Sequence, residues 1–506
     1  MKKFKRVLIA NRGEIAVRVA RTLRELGIET VAVYSDADRR APHVLVADYA
    51  YRVGPAPAPE SYLRTDVILD VAKRAEVDAI HPGYGFLSEN ASFVEAVEEA
   101  GITFIGPSPH AMRVMGSKTG AREAMIAAGV PVVPGSEGAI GNEDEALTVA
   151  ADIGYPVMLK ASAGGGGKGM RLVHSADDLP KAFRAAASEA RNAFGDETVY
   201  IEKAVLEPRH IEVQILGGPD GRSLWLGERE CSMQRRHQKV IEETPSTFVN
   251  DDLRRQMGEV ACRAADAVDY VGAGTVEFLM DRDHNFYFLE MNTRLQVEHP
   301  VTELCCGIDL VEAQIRIAQG EPIGYTQDEI KRTGHAIEAR LYAEDPSQNF
   351  LPSPGFIREL NFPHWPGVRI DCGVSQGFEV PRYYDPMIAK VIAYGEDREQ
   401  ARRRLHRALE ETAVKGITTN NRFLIELLDS EEFISGNYHT GSIAELMARD
   451  EPESSEREKD IATIAAVIQT FAQDRQSARL VATGGETAGA GTGPGWRGTS
   501  WRRGMF

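Results

Sequence analysis

Two glutamates on neighbouring strand-like segments are candidates for binding a metal ion. Glu277 and Glu290 flank a polar turn at residues 281–285, in the alternating pattern of a β-hairpin. A register symmetric about that turn makes the two carboxylates cross-strand neighbours and puts Asn292 and Arg294 on the same face. At about 5 Å and an effective dielectric near 20, two carboxylates repel by roughly 3 kcal/mol, so we expect a positive group between them. Oxygen ligands favour Mg2+ or Mn2+ held with substrate phosphates, and the apolar residues nearby argue against an exposed, solvated pair.

A run of glycines offers a second kind of chemistry, the binding of phosphate. Residues 155–160 form an apolar strand-like run that ends in Lys160, and four consecutive glycines follow at 164–167. Glycines let successive backbone N–H groups turn towards a phosphate, and a nearby lysine adds a positive charge. The segment is not a Walker A loop, because Lys168 is followed by Gly169 and no earlier glycine is in register. A flexible surface loop is the alternative, which the preceding lysine-ending strand disfavours.

Two further segments could hold an anion. Residues 235–239 carry arginines, a histidine and Lys239 among acidic neighbours, which favours a small anion or a nucleotide over nucleic acid. Glu298 follows Arg294 at a short distance along the chain. A carboxylate beside a guanidinium can hold an anion and take a proton from it, and a structural salt bridge is the alternative for such a pair.

The pattern of the whole chain predicts α/β and α+β domains as the scaffold for these residues. Short β-rich runs alternate with helical patterns over the first hundred residues, which indicates a doubly wound domain with a parallel sheet. Its first strand-to-helix turn, residues 11–14, lacks the GxGxxG of a Rossmann dehydrogenase. Changes of pattern predict an N-terminal domain at 1–112, a central domain at 113–330, an α+β domain at 331–448 and a tail at 449–506.

The tail differs in character from the rest of the chain. Apolar residues at helical spacing, among them Ile464 and Ile468, predict an amphipathic helix over 456–475. A Gly-, Ala- and Thr-rich segment follows, which is typical of a flexible linker, and the chain ends in two tryptophans and a phenylalanine. Docking of a partner and a frayed terminus are the two interpretations of this end.

Composition excludes several classes of function. The 506 residues include 75 acidic and 58 basic ones, a net charge of -17, which argues against a nucleic-acid partner. Five cysteines without a CxxC pair predict reduced thiols rather than disulfides or a zinc site. No apolar stretch approaches the roughly 20 residues of a membrane span, and no signal-peptide core follows the N-terminal lysines. We therefore expect a cytoplasmic protein with no membrane association.

Together these segments closely resemble the biotin carboxylase family, which has an ATP-grasp fold. The resemblance runs from about residue 4 to 446. It depends on long strings at residues 9–16, 81–90, 155–170, 231–239 and 290–300. The turn between Glu277 and Glu290 and the tail depart from the minimal form of the family, and neither is expected to affect the chemistry.

The resemblance implies a nucleotide site beneath a glycine-rich lid at about 132–204. The residues that would hold the ATP phosphates are Lys118, Lys160, Gly164, Gly165, Gly166 and Gly167. The residues that would line the rest of the nucleotide site are Glu202, Lys203, Val205, His210, Gln234, His237 and Leu279. Glu277 and Glu290, with Asn292, would bind two divalent cations, Mg2+ or Mn2+.

The resemblance also implies the reaction. Bicarbonate would be held by Lys239, Arg294, Gln296 and Val297, with Glu298 as its general base. Bicarbonate would attack the γ-phosphate of ATP to give carboxyphosphate, which breaks down to CO2 and phosphate, and phosphate takes the proton from biotin N1′. Arg340 would stabilise the enolate-like ureido oxygen of biotin, and Tyr84 and Gly85 would contact biotin. The closed lid would protect the labile intermediate from water.

The same resemblance implies partners. The chain has no Met-Lys-Met biotinyl motif, so biotin is expected on a separate biotin carboxyl carrier protein. A carboxyltransferase subunit would then determine which compound accepts the carboxyl group. The sequence leaves acetyl-CoA, propionyl-CoA and pyruvate open as acceptors. A homodimer is expected from the family.

Two other functions remain open from the sequence. Another ATP-grasp ligase that forms a carboxylate or a carbamate would share the glycine run and the metal carboxylates, without needing Arg340 or Glu298 in these contexts. A regulatory or scaffold subunit would be expected to lack some of the four reactive residues, and all four are present: Lys239, Arg294, Glu298 and Arg340.

Overall fold

The computed structural model describes residues 2–136, 138, 140–161, 170–194, 198–449, 463–464 and 467–468. The chain divides into two compact units, Met1–Leu446 and Met447–Phe506. The four described residues within the predicted tail helix are helical, and Ile464 and Ile468 are exposed. The rest of that predicted helix, the linker and the aromatic end lie outside the described residues.

The N-terminal part is a parallel sheet with helices between its strands. Its elements in chain order are β1 (Arg6–Ile9), α1 (Gly13–Glu25), β2 (Glu29–Ser35), α2 (Pro42–Val46), β3 (Tyr49–Gly54), α3 (Thr65–Arg74), β4 (Ala79–His81), α4 (Ala91–Glu99), β5 (Thr103–Phe104) and α5 (Pro109–Gly116). The strand order is β3-β2-β1-β4-β5, and every pairing is parallel. The predicted doubly wound domain is therefore confirmed. The strand order reverses between β1 and β4, and ligands of such sheets bind at that point.

The central part contains a small sheet and most of a large one. Its elements are α6 (Lys118–Ala127), α7 (Glu143–Ile153), β6 (Val157–Ala161), β7 (Met170–Val173), α8 (Leu179–Phe194), β8 (Val199–Lys203), β9 (Arg209–Gly217), β10 (Ser223–Arg235), β11 (Gln238–Thr244), α9 (Asp251–Asp266), β12 (Gly272–Met280), β13 (Phe286–Asn292), α10 (His299–Cys306) and α11 (Leu310–Ala318). Strands β7-β6-β8 form the small sheet, which packs with α7 and α8 around its own apolar cluster. This sheet carries Lys160 and Glu202.

The C-terminal part completes the large sheet. Its elements are β14 (His335–Tyr342), β15 (Glu344–Asp345), β16 (Leu351–Pro352), β17 (Gly355–Phe356), β18 (Glu359–Asn361), β19 (Val368–Cys372), β20 (Glu379–Val380), β21 (Met387–Gly395), α12 (Arg398–Glu411), β22 (Ala413–Lys415), α13 (Asn421–Asp429), α14 (Glu431–Ser435) and α15 (Ser442–Met447). The large sheet is antiparallel with the order β13-β12-β9-β10-β11-β14-β21-β19. It continues through the predicted domain boundary at 330, because β11 pairs with β14.

Helix α12 shows how the large sheet is stabilised where it carries Arg340, one of the predicted site residues. Its apolar positions Ala401, Leu405, Ala408 and Leu409 recur at helical spacing and are fully buried. They pack against β14 and β21 in one apolar cluster. The opposite face of the two strands is thereby left for polar side chains, since successive strand residues point to opposite faces.

Candidate active site

Lys239 on β11 lies at the centre of a cluster of carboxylates. Its ammonium group donates to Glu212 Oε2 at 2.6 Å, to Glu298 Oε1 at 2.7 Å and to Glu277 Oε1 at 2.9 Å. Burial alone would lower the pKa of Lys239, but the three carboxylates outweigh burial and raise that pKa well above its usual value. Lys239 therefore stays charged and fixes three acidic groups around one point.

Glu298, the predicted general base, is buried between two cations. It immediately precedes α10, and its other oxygen accepts a hydrogen bond from Arg340 at 2.9 Å. Burial alone would raise the pKa of Glu298, but Lys239 and Arg340 outweigh burial and hold it well below the usual range. The carboxylate is therefore ionised and can accept a proton. Arg340 also forms an ion pair with Glu242, a residue that sequence reasoning missed.

The predicted hairpin forms, and its two acidic residues face each other. Glu277 on β12 pairs directly with Glu290 on β13, and a register shift next to Glu277 replaces the symmetric pairing assumed from the sequence. The expected positive group is the Lys239 ammonium, which contacts the Glu277 carboxylate, and the His210 imidazole lies 2.8 Å from the same carboxylate. Asn292 Nδ2 also donates to Glu277 at 2.9 Å, as the shared face predicts.

This arrangement fits a divalent cation. Glu277, Glu290 and Asn292 supply hard oxygen ligands from paired strands, which suits Mg2+ or Mn2+. Ligand atoms of His210, Glu212 and Glu277 also lie within 4.8 Å of one another. Glu212 is thus a functional candidate absent from the sequence predictions.

A signal for Glu212 exists in the sequence. His210, Glu212 and Gln214 alternate with apolar residues, so period two places all three on one face of β9. Arg229 explains why that polar face is tolerated in the interior. Its fully buried guanidinium pairs with Glu212 and donates to Gln214 at 2.7 Å and to Gln296 at 2.6 Å.

Arg294 has a different partner from the one expected. The sequence suggested Glu298 as its neighbouring carboxylate, but that carboxylate bonds Lys239 and Arg340. Arg294 instead pairs with Glu89 at 2.8 Å and donates to Asn292 Oδ1 at 2.8 Å. A salt bridge between Arg294 and Glu298, the structural alternative for this pair, is therefore not formed, but the charge of Glu298 still helps to raise the pKa of Arg294.

The segment between Arg294 and Glu298 is fixed on both sides. The Gln296 amide donates to Glu277 Oε1 at 2.7 Å. The Val297 carbonyl accepts a hydrogen bond from the ammonium group of Lys390 at 2.8 Å. The predicted bicarbonate residues Lys239, Gln296 and Val297 are thus joined to the same buried network.

The predicted biotin contacts lie at the reversal point of the parallel sheet. Asn11 follows β1, and its amide donates to the carbonyls of Pro82 and Tyr84, each at 2.7 Å. The Tyr84 hydroxyl donates to Glu14. Gly85 is exposed and has a φ of 67°, a backbone conformation that favours glycine.

The predicted nucleotide residues are less completely brought together. Lys160 pairs with Glu202, and Lys203 donates to the carbonyls of Gly154 and Tyr155 at 2.9 and 3.1 Å. Gln234 contacts His210 at 3.3 Å, and Leu279 is the cross-strand neighbour of His210. The remaining positions are the start of α6 for Lys118, a half-buried site after β8 for Val205 and an exposed turn for His237. Gly164, Gly165, Gly166 and Gly167 lie outside the described residues.

Three family models cover most of the chain. Residues 3–112 match the biotin carboxylase N-terminal domain, 117–326 the ATP-binding domain of the carbamoyl-phosphate synthase L chain, and 338–445 the biotin carboxylase C-terminal domain. A biotin carboxylase of Halalkalibacterium halodurans is 54% identical over 440 residues, which are 87% of this chain and 97% of that protein. The chain belongs to the biotin carboxylase family.

The chain is also similar to one part of a longer carboxylase subunit and to biotin carboxylases of known structure. The α subunit of mitochondrial methylcrotonoyl-CoA carboxylase from Rattus norvegicus is 53% identical over 87% of this chain and 61% of its own length. The structure of a Campylobacter jejuni biotin carboxylase in a β-γ-ATP complex is 48% identical, with a TM-score of 0.82 over 88% of this chain and 99% of that one. A biotin carboxylase domain dimer of Hydrogenobacter thermophilus 2-oxoglutarate carboxylase, with MgADP and bicarbonate, is 44% identical, with a TM-score of 0.81 over 89% of this chain and 100% of that one.

Membership in the biotin carboxylase family makes the chain an ATP-binding ligase with the three-part fold predicted from the sequence. The matches to both biotin carboxylase terminal domains favour this family over other ATP-grasp ligases. The five cysteines, all described, are free thiols as predicted. Among the described residues, no helix is long and apolar enough to cross a membrane.

Proposed function

We propose that this chain uses ATP and bicarbonate to carboxylate biotin carried by another polypeptide, as the first half-reaction of an acyl-CoA or pyruvate carboxylase. The observation that carries the proposal is the contact of Glu298 with both Lys239 and Arg340, at 2.7 and 2.9 Å. A base, a cation for bicarbonate and a cation for the ureido oxygen of biotin are thereby joined in one buried cluster.

The nucleotide would lie between the small sheet and the large sheet. Lys118, Lys160 and the glycines at 164–167 would hold its phosphates, while His210, Gln234 and Leu279 would line the site. Glu277, Glu290 and Asn292 would hold two Mg2+ or Mn2+ ions, which neutralise the charge on the transferred phosphoryl group. This work is positioning and electrostatic stabilisation, the usual contribution of a protein to phosphoryl transfer.

Bicarbonate would displace contacts that now satisfy Glu298. Lys239, Arg294, Gln296 and the Val297 backbone would hold the anion, so the Lys239 ammonium would share its charge with a new ligand. The pKa of Glu298 would then rise from its depressed value, which makes the carboxylate a more effective acceptor of the bicarbonate proton. The deprotonated oxygen attacks the γ-phosphate, the bond to ADP breaks, and carboxyphosphate forms.

Arg340 would act in the second step. Carboxyphosphate breaks down to CO2 and phosphate, and phosphate removes the proton from biotin N1′. The buried guanidinium of Arg340 would stabilise the negative charge that develops on the ureido oxygen, which is worth most in a site that excludes water. Tyr84 and Gly85 would contact the biotin ring system.

We further propose a biotin carboxyl carrier protein and a carboxyltransferase subunit as partners, a homodimer as the assembly and the cytoplasm as the location. Relatives named as methylcrotonoyl-CoA and propionyl-CoA carboxylase α chains and a pyruvate carboxylase structure support the partnership in general. Their different acceptors leave the choice among acyl-CoA and pyruvate to the carboxyltransferase.

Phosphate release with free biotin tests the proposal. Purified protein with Mg-ATP and bicarbonate should release phosphate faster when free biotin is added. Arg340→Ala should remove most of that increment. Arg398→Ala is the matched control, because Arg398 is another arginine of the C-terminal part that pairs with a buried glutamate, Glu243. Equal rates with and without biotin in the unmodified protein would defeat the biotin assignment.

A further inference from the structure

Lys390 on β21 is a fully buried lysine that the proposed reaction does not use. Its ammonium group donates to the Val297 carbonyl at 2.8 Å and lies 3.3 Å from Glu14 and 3.7 Å from Asp371. A lysine is almost never fully buried unless it is paired, because removal of its charge from water is costly. The pKa of Lys390 is raised even though burial alone would lower it, chiefly because Glu14 carries the opposite charge.

The contacts of Lys390 lead to two different substrates of the proposed reaction. Val297 lies between Gln296 and Glu298, in the segment that would hold and deprotonate bicarbonate. Glu14 accepts a hydrogen bond from the hydroxyl of Tyr84, the predicted biotin contact. One ammonium group therefore holds both segments, although Glu14 and Val297 belong to separate parts of the chain.

The large sheet fixes Lys390 at this point. Lys390 is the cross-strand neighbour of Arg340 on one side and of Asp371 on the other, so all three side chains share a face. Asp371 is held in turn by Arg369 at 2.8 Å. Arg369 also pairs at 2.7 Å with Glu303 on α10, the helix that begins directly after Glu298.

We propose that Lys390 is a positioning residue that sets the bicarbonate segment and the biotin contact at the same time. The inference rests on the proposed function. A charge-assisted hydrogen bond fixes the Val297 carbonyl, and through it the direction in which Glu298 leaves the backbone. Burial raises the pKa of Glu14, the Lys390 charge offsets part of that rise, and the same charge holds the Glu14 carboxyl group where it accepts from Tyr84. Lys390 would contact neither the reacting atoms nor the nucleotide. We therefore expect its loss to raise the KM for bicarbonate and for biotin and to leave the KM for ATP unchanged.

Steady-state kinetics of Lys390→Met test whether the KM values for bicarbonate and biotin change while the KM for ATP does not. Methionine keeps the length of the side chain and removes the charge. Loss of a hydrogen bond to a charged group predicts KM values for bicarbonate and for free biotin that rise by about tenfold or more. The KM for ATP should stay within about twofold, since the contacts of Lys390 among the described residues are with Val297, Glu14 and Asp371 and not with the nucleotide residues. Glu14→Gln should raise the KM for biotin more than that for bicarbonate, because only the Tyr84 branch changes.

The control is Arg398→Met, which removes a half-buried cation on α12 that packs against the other face of the same sheet. Arg398 pairs with Glu243, whose side chain points away from that of Glu242 and therefore from the reactive face. It should lower the unfolding temperature while leaving the three KM values within about twofold of the unmodified protein. A purely structural role for Lys390 would make the two methionine variants alike.

Folded Lys390→Met with unchanged KM values for bicarbonate and biotin would overturn the inference. Lys390→Met leaves Glu14 and Asp371 without this partner. If the variant does not fold for that reason, the double variant Lys390→Met with Glu14→Gln carries less unpaired buried charge. Glu14→Gln alone still tests the effect on the KM for biotin. An unchanged biotin KM in Glu14→Gln would then overturn it. Failure of the proposed function is distinct, because the unmodified protein itself would show no increment with biotin.

Discussion

Glu242 on β11 and Glu338 on β14 lie directly opposite each other, and both carboxyl groups are fully buried. Burial raises the pKa of both residues, well above the ordinary value for Glu338 and to about 7 for Glu242. Arg340, next to them, offsets only part of the rise for Glu242. Ionisation of both cross-strand carboxyl groups would place two negative charges side by side in the interior, so the pair retains a proton at neutral pH.

This pair predicts a pH-dependent stability. The folded pKa of Glu242 is raised above its unfolded value, so the unfolded chain loses this proton first as pH rises from about 4.5 to 7. The carboxyl group therefore destabilises the fold progressively through that window. Glu242→Gln removes this effect, and its stability relative to the unmodified protein should be more favourable at pH 8 than at pH 5 by roughly 1 to 3 kcal/mol.

Urea unfolding at the two pH values measures the difference. The neighbouring Glu243→Gln is the control, because Glu243 has a pKa lowered to about 2 by His335 and Arg398 despite burial. Its contribution is lost only below about pH 4.5, so its effect should be equal at pH 5 and pH 8. The same pH dependence in both variants would contradict the assignment to Glu242.

Replacement of the proposed base predicts a loss of turnover. Glu298→Gln keeps the size of the side chain and its contact with Arg340 but cannot take a proton. Bicarbonate-dependent phosphate release should fall by roughly 100-fold or more, with little change in the KM for ATP. Glu228→Gln, a buried glutamate paired with Arg254 and Arg332, should retain most of the rate. A Glu298→Gln rate within a few-fold of the unmodified protein would exclude Glu298 as the base.

The facing carboxylates predict a specific metal dependence. Glu290→Gln removes one negative oxygen ligand, so the free Mg2+ concentration needed for half-maximal activity should rise by about tenfold. Titration of Mg2+ at constant Mg-ATP measures it. Asp283→Asn, in the turn of the same hairpin, should leave the titration unchanged because its carboxylate lies outside the paired strands. Coincident titration curves for all three proteins would rule out Glu290 as a ligand.

A substitution at Gly83 tests how Asn11 holds the loop that carries Tyr84, the proposed biotin contact. A Cβ at this position would lie 2.9 Å from Asn11 Nδ2, the atom that fixes Pro82 and Tyr84. Gly83→Ala should therefore displace Tyr84 and raise the KM for biotin by about tenfold, besides a cost of roughly 1 to 3 kcal/mol in stability. Gly101→Ala has a similar positive φ but no atom within 4 Å, so it should reduce stability and leave that KM unchanged. Equal kinetic effects in the two variants would argue against the Asn11 contact.

The sequence by itself determined the local features of this protein. Period-two alternation put Glu277, Glu290 and Asn292 on one face of a hairpin, and the alternation of β-rich runs with helical patterns predicted the parallel sheet of the N-terminal part. The long strings that resemble the biotin carboxylase family predicted which residues would react, because residue types at fixed spacing can be compared without knowledge of the fold. The alternation of His210, Glu212 and Gln214 with apolar residues on β9 is equally visible in the sequence.

The tertiary structure alone decided which of these residues meet. The three carboxylates around Lys239 come from β9, β12 and the start of α10, and Arg340 reaches Glu298 because β14 pairs with β11. Two ion pairs likewise join distant segments of the chain, Arg294 with Glu89 and Lys390 with Glu14. Local periodicity fixes the face on which a side chain lies, but strand order follows from the burial of all apolar faces together, which no single segment specifies.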